Sequence, residues 1–395
     1  MVYLTRNSFW INSGHATSAI VGILLAIVYA NFFSPEVYGS YTTIIAISSI
    51  LSVLTLFRMN TPTISAIAKG FDGTFLAALK MRLRWGILGS IMGFGFALYY
   101  YLNGNSQLTI AFILIAIFSP AMHSMASYRF FLAGKQNFKL LSLFLIATQL
   151  IHLTIVSFVG YVSDDLLTLL ASYLGTHLML RYFFTRYVID KYSLKKEGLK
   201  VDKNALILGK RLSFFSIFGT LVSHIDKILI WHFLGPIQVA IYSFAITPPK
   251  QISKLFSPIT DISLAKFGNR DKSVLKLAIP KKMITIFLFS VPIVLVYIFL
   301  APFIFHTLFP KYESAIFYTQ LYSLILLLQG RLLIPFFHSQ QKNKELYIID
   351  FMKPIIKISC IAIFLPTLGI LGMIIALLTS ASLDLMLRFY LMKKS

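Results

Sequence analysis

The chain has 395 residues, 57% hydrophobic and only 13% charged, with a mean hydropathy of +0.78; a soluble domain of this length exposes far more charge, so composition excludes one. Its 36 Lys and Arg against 14 Asp and Glu give a net charge of +22. In so apolar a chain that charge fits loops facing anionic lipid rather than a nucleic-acid surface. The single cysteine, Cys360, excludes an intrachain disulfide and a cysteine metal cluster, and its apolar surroundings make it a packing residue.

Apolar stretches run at about 12–32, 37–57, 83–101, 108–130, 140–160, 166–187, 212–233, 237–259, 283–306, 314–335, 346–364 and 368–390. Most are near the ~20 residues that cross ~30 Å of hydrocarbon, which predicts an all-α polytopic membrane protein of about twelve spans. Met1 to Trp10 carries only Arg6, and the apolar stretch that follows is span-length, so no cleavable signal peptide is expected. The gaps Arg58 to Arg84, Arg129 to Lys139, Arg181 to Arg211, Lys250 to Lys282 and Arg331 to Lys344 are basic, as are both tails. The alternate gaps, at 31–36, 102–107, 161–165, 234–238, 309–313 and 366–369, hold one cation, Lys311. The positive-inside rule then puts both termini in the cytoplasm and the bare turns outside.

Phe32-Phe-Ser-Pro-Glu-Val-Tyr-Gly-Ser-Tyr41 and Phe233-Leu-Gly-Pro-Ile-Gln-Val-Ala-Ile-Tyr242 share Phe, a Ser/Gly-Pro turn, a small residue and Tyr in register. Each joins the first two helices of a six-helix block. The expected plan is an N-terminal six-helix lobe at 1–190, a basic cytoplasmic linker at 191–211 and a C-terminal six-helix lobe at 212–395. Blocks with an even number of spans have one orientation, so pseudo-two-fold symmetry along the membrane normal is expected.

Three stretches carry a family likeness. Phe33-Ser-Pro-Glu-Val-Tyr-Gly-Ser-Tyr41 is similar to a recurring Pro-x-x-Tyr-Gly-x-Tyr, and Arg58-Met-Asn-Thr-Pro-Thr-Ile-Ser-Ala-Ile-Ala-Lys69 falls where a polar re-entrant segment recurs. Asp226-Lys-Ile-Leu-Ile-Trp-His-Phe-Leu-Gly235 with Val239-Ala-Ile-Tyr-Ser-Phe-Ala245 matches Asp-x-hydrophobic-run-Phe-Leu-Gly and Val-Gly-x-Tyr-x-x-Ala, except that Ala240 replaces the usual Gly. With its two-lobe plan the chain resembles the Wzx-like flippases of the multidrug/oligosaccharidyl-lipid/polysaccharide exporter superfamily. The resemblance implies flipping of undecaprenyl-pyrophosphate-linked oligosaccharide across the bacterial inner membrane for O-antigen, capsule or exopolysaccharide synthesis. It implies an inter-lobe cationic cavity, no cofactor, and as partners membrane lipids, a polysaccharide polymerase and a chain-length regulator. Two alternatives stay open: an ion-coupled multidrug antiporter of the same superfamily, and a membrane-embedded glycan polymerase or transferase, although the outer loops are too short for catalytic acids.

A sugar-pyrophosphate head cannot enter hydrocarbon unaided, so cations and polar groups at membrane depth are the candidate site. Helix one offers Asn12 and His15 for sugar hydroxyls, on a stripe with Ser8, Gly22 and Tyr29 that serves helix packing equally well. Arg58 stands at the cytoplasmic mouth, where topology alone also places a cation. His123, His152 and His177 are single histidines on apolar helices and read as packing residues; no set has metal-ligand spacing. Asp226 and Lys227 lie about 10–12 Å in from the outer end of helix seven and point ~100° apart, so each needs a partner elsewhere. They read either as an ion-coupling carboxylate, Asp226, beside a cavity cation, Lys227, or as a structural inter-helix bridge. Lys250 follows Pro248 and Pro249, which should bend helix eight, and is a candidate anion ligand. Asp350, Lys353 and Lys357 share a face of helix eleven, and Lys357 sits near mid-membrane as a third candidate cation. Asp384 and Arg388 are spaced for a helix-surface pair.

Overall fold

The bare gaps of the sequence are helix starts. Ser34 is extended (φ −71°, ψ 152°) and its hydroxyl accepts from the amide of Val37, with Pro35 at the first helical position, so α1 (Val2–Phe32) passes to α2 (Pro35–Leu51) through a capped two-residue turn. Asn105 caps α5 (Ser106–Met125), Asn137 caps α7 (Phe138–Val162) and Asp165 caps α8 (Leu166–Lys191) in the same way. Gly235, left-handed at φ 87°, ends α9 (Lys203–Leu234), and Pro236 opens α10 (Pro236–Lys254). The Phe-Leu-Gly-Pro motif is therefore a helix stop followed by a helix start.

This computed structural model describes residues 2–394 apart from 197, 255, 257–259, 261, 262, 264–266, 268–271 and 329, with the side chains of 2–9, 11, 12, 15 and 343 also outside the description. Helix makes up 89% of it, and no strand occurs among the described residues. Between the helices already named run α3 (Asn60–Ala68), α4 (Gly73–Leu102) and α6 (Tyr128–Gly134); beyond α10 come α11 (Lys272–Leu308), α12 (Ile316–Ser323), α13 (Leu333–Ser339) and α14 (Asn343–Lys394). Among the described residues seven helical segments are long and apolar enough to cross a membrane: 35–55, 73–102, 106–134, 138–162, 203–234, 272–308 and 344–394. Of the remaining expected spans, 12–32, 166–187 and the described part of 237–259 are mostly helical but fall short on that measure, whereas 314–335 is broken: helix ends at Ser323, a 3-10 turn follows at Leu324–Leu326, and helix resumes only at Leu333. In α1 the apolar part is only Ala16–Phe32, while α8 and α10 carry internal cations. Two expected spans share the 52-residue α14, which breaks at Gly369 (φ 58°, ψ −131°). Large apolar side chains such as Leu98, Phe158, Phe215, Phe289 and Phe299 point outward on these helices, an exterior suited to lipid and far more apolar than a soluble surface tolerates. The chain is an all-α polytopic membrane protein.

Packing divides it into two compact units, Met1–His224 and Ile225–Ser395, with the boundary inside α9. The first has a core of Ile67, Phe75, Tyr128, Phe131, Leu132, Val188 and Leu194. Leu194 and Leu199 belong to the stretch read as a linker, and the backbone there is fastened to the start of α4: Gly73 donates its amide to Lys200 O at 3.1 Å, and Asp202 donates its amide to Thr74 Oγ at 2.9 Å. The amphipathic spacing of Leu194 and Leu199 among the lysines packs them down while the charges face out. The second unit has a core of Ile230, Val239, Tyr242, Ile246, Tyr322, Cys360, Ile361, Met373 and Ile374. Cys360 is a buried packing residue, as expected. Asp384 and Arg388 do pair, at 2.5 Å, but their side chains are only 12% and 13% exposed; the helix face expected at the surface is mostly covered.

Candidate functional site

In the second unit the hairpin of α9 and α10 decides what meets what. Asp226 lies eight residues before the end of α9 and Tyr242 six residues after the start of α10, so the turn at Gly235-Pro236 brings them to one level. The Tyr242 hydroxyl donates to Asp226 Oδ2 at 2.5 Å, a short bond to a charged acceptor of the kind contributing about 1.5–3 kcal/mol. Asp226 is only 6% exposed, and a buried carboxylate needs opposite charge as well as that bond. Lys357 from α14, Lys250 from α10 and Lys227 beside it supply the field, in that order of strength. Tyr322 of α12 also lies within the carboxylate's electrostatic reach.

Lys250 is exposed, and Lys227 and Lys357 are half-buried. Lys227 and Lys357 each repel Lys250. Among the described residues three lysines thus lie within electrostatic reach of one carboxylate, an excess of two positive charges at membrane depth. The four residues singled out in the second half of the sequence, Asp226, Lys227, Lys250 and Lys357, are brought together. The helix runs on through Pro248 and Pro249 to Lys254.

Arg58 belongs to the other unit. It follows left-handed Leu56 (φ 53°) in a pair of 3-10 turns, its amide donates to Ser213 Oγ at 3.1 Å, and its side chain is exposed. The side chains of Asn12 and His15 lie outside the described residues.

The first unit holds a polar centre that the sequence reading did not assemble. Arg82, 2% exposed within α4, donates from Nε to Thr55 O at 3.0 Å, from Nη1 to Ser127 Oγ at 2.7 Å and from Nη2 to His123 O at 2.8 Å. Arg181 of α8 donates to Met122 O at 2.9 Å, and Thr185 one turn on donates to Met125 O at 2.7 Å. Two guanidiniums therefore cap the carbonyl end of α5, where the helix dipole is negative. Beside them His152 and His177 lie ring to ring at 4.8 Å, with Tyr173 4.5 Å from His177 and the Tyr29 hydroxyl 3.4 Å from His152 Nε2. His152 is buried and His123 and His177 are half-buried, and His123 Nε2, His152 Nδ1 and His177 Nδ1, each shielded from solvent, find no hydrogen-bond partner. Arg82 and Arg181 had been absorbed into basic gaps, yet Tyr173, His177, Arg181 and Thr185 recur every fourth residue, a polar stripe on one face of α8. That periodicity was the available signal. Among the described residues no group of three His, Cys, Asp or Glu is placed to hold a metal ion.

These features define a polytopic membrane protein with the fold of a transporter. The structure resembles an inward-facing multidrug resistance MATE family transporter of the MOP superfamily (TM-score 0.66, 14% identity, 95% of this chain and 94% of that one) and an outward-facing one (0.61, 14%, 99% and 94%). It is also similar to a MOP superfamily transporter from Pyrococcus furiosus described by a reversed polarity of its binding pocket (0.64, 14%, 99% and 95%). No curated protein sequence matches the chain. The profile of one family, described as Polysaccharide biosynthesis protein, matches residues 4–265, and the chain belongs to that family.

Proposed function

We propose that this protein is a membrane transporter that flips undecaprenyl-pyrophosphate-linked oligosaccharide across the bacterial inner membrane for O-antigen, capsule or exopolysaccharide synthesis. The observation that carries this reading is the excess of lysine over carboxylate around Asp226. A pyrophosphate diester brings two negative charges, matching the excess of Lys227, Lys250 and Lys357 over Asp226, whose Oδ2 already accepts from Tyr242. Family membership and fold support the reading. Transport needs no bond made or broken in the cargo, so the function is not enzymatic; alternating access moves the head group while the prenyl tail stays in lipid. A polymerase and a chain-length regulator are the partners proposed downstream, with both termini in the cytoplasm.

The MATE-like fold also suits an ion-coupled multidrug antiporter. Cationic drugs want uncompensated carboxylates, however, and the acid here is outnumbered. The test is export of surface glycan in cells whose own export protein has been deleted. Lys227→Gln, Lys250→Gln and Lys357→Gln should each lower export at least several-fold while the protein stays folded in the membrane, and Arg at each site should retain most of it, because charge rather than hydrogen bonding is required. Wild-type export from all three Gln variants would refute the anion site.

A further inference from the structure

The unsatisfied histidines of the first unit call for an occupant. His152 is the fifteenth of 25 residues in α7 and His177 the twelfth of 26 in α8, so both sit at mid-span. From them a polar thread runs towards each end of the unit. Towards the bare turns, Tyr29 Oη stands 3.4 Å from His152 Nε2 and 3.5 Å from Tyr41 Oη; that end is marked by the Ser34 amide donating to Asp164 at 2.9 Å, which ties the α1–α2 and α7–α8 turns together. Towards the basic turns, Arg181, His123 and Arg129 act electrostatically on His177, and Lys135 pairs with Asp72 at 2.7 Å beyond them.

The titratable and charged groups facing the pair are Tyr29 from α1, Tyr41 from α2, His123 from α5, Arg129 from α6, and Tyr173 and Arg181 from α8. None is a carboxylate. An imidazole kept only for packing would have both nitrogens bonded, since a buried polar atom left unmade costs about 1–3 kcal/mol. Here two adjacent rings each leave Nδ1 bare. Ionisable groups at membrane depth are costly and mark relays, and the one chemical species that needs no cavity is a proton.

We propose that the His152–His177 pair is the site at which this protein binds the proton that drives its transport cycle. The proton adds to the free lone pair of one imidazole to give an imidazolium and later leaves from the same ring, with no other bond changed. Both rings lie at mid-span inside the packed unit, so the proton enters when the pair is opened to water from one side, and the protonated pair holds that state until the proton is released. The inference rests on the transporter reading but not on the cargo, and it leaves Asp226 as counter-charge rather than coupling group.

The experiment uses the full chain in sealed liposomes with a trapped pH-sensitive dye, at pH ~6 inside and ~7.5 outside to bracket the imidazole range, with and without undecaprenyl diphosphate as the probe lipid. Wild-type protein should dissipate the gradient at least severalfold faster than His152→Gln/His177→Gln. His338→Gln, on an exposed histidine of the other unit, should behave as wild type. Tyr29→Phe keeps its ring and loses only the hydroxyl facing His152; it guards against a double variant that fails to fold and should also slow dissipation severalfold. Wild-type rates in the folded double variant or in Tyr29→Phe, or no dissipation by wild-type protein with or without the lipid, would overturn the proposal. Dissipation that depends on the histidines but not on the lipid would uphold the proton site and count against the diphosphate cargo.

Discussion

The two units hold their membrane-depth cations in opposite ways. In the first, Arg82 spends three of its donors on Thr55, Ser127 and His123, and Arg181 is fastened to Met122. In the second, Lys227, Lys250 and Lys357 share one acid whose other partner is a tyrosine. A guanidinium is a rigid fork whose hydrogen bonds fix the groups around it; an ammonium is a point charge on a flexible stem, able to meet a ligand that comes and goes. The same net sign is therefore held in a fixed hydrogen-bonded scaffold in one unit and gathered around a single shared acid in the other.

The largest effect that would break this comparison is at Arg82. Arg82→Ala removes three hydrogen bonds, to Thr55 O, Ser127 Oγ and His123 O, and should cost about 3–5 kcal/mol, by analogy with removing one partner from a buried charged network. Most folded protein should be lost, read as the monodisperse fraction on size-exclusion chromatography, and Arg82→Lys should recover little. An Arg82→Ala protein that folds normally but exports nothing would move Arg82 from architecture to transport. Next in size is Tyr242→Phe, which removes a bond to a buried carboxylate and should lower stability by about 1.5–3 kcal/mol, seen as a fall in Tm. Asp226→Asn sharpens the same point. If Asp226 is a counter-charge, folded yield falls and the surviving protein keeps its dependence on an ion gradient; if it couples, yield holds and the dependence disappears.

The smallest effect is at the turn between α7 and α8. Partial desolvation pushes the Asp165 carboxyl up, but bonds from the amide and hydroxyl of Thr168, the amide of Leu167 and Gln107 together outweigh it, so its pKa lies below the ordinary carboxylate range. A depressed folded-state pKa means the cap stabilises fully above the unfolded value and fades as pH falls through the folded one. Asp165→Asn can still cap, so its loss should be ~1 kcal/mol or less at neutral pH and should vanish in acid. Thermal melts at both pH values check it.

How much of this was legible follows from what each residue was asked to reveal. The turns were readable because Ser34-Pro35, Asn105 and Gly235-Pro236 act locally, through caps and a left-handed glycine. Asp226, Lys227, Lys250 and Lys357 were readable one by one because charge inside an apolar run stands out; that they meet depends on the α9–α10 hairpin and on α14. Arg82 and Arg181 were hidden because they lie close enough to basic loops to pass for topology signals, and only packing distinguishes a snorkelling cation from one turned inward. The histidines were noticed singly. Their meeting across α7 and α8 is a tertiary fact with no local signature.

The latch at the head of α4 bears on how the chain is made. The amide of Gly73 and the hydroxyl of Thr74 receive their partners from Lys200 and Asp202, and a Cβ at Gly73 would stand 2.8 Å from Leu199 O, so these backbones close on each other with no side chain between. Residues near 73 leave the ribosome well before those near 200, and the first unit waits unfinished until the later stretch arrives. Two fragments expressed separately should accordingly reassemble when the break comes beyond Asp202, and fail when it comes at 190, since the first fragment then lacks its own closing strap.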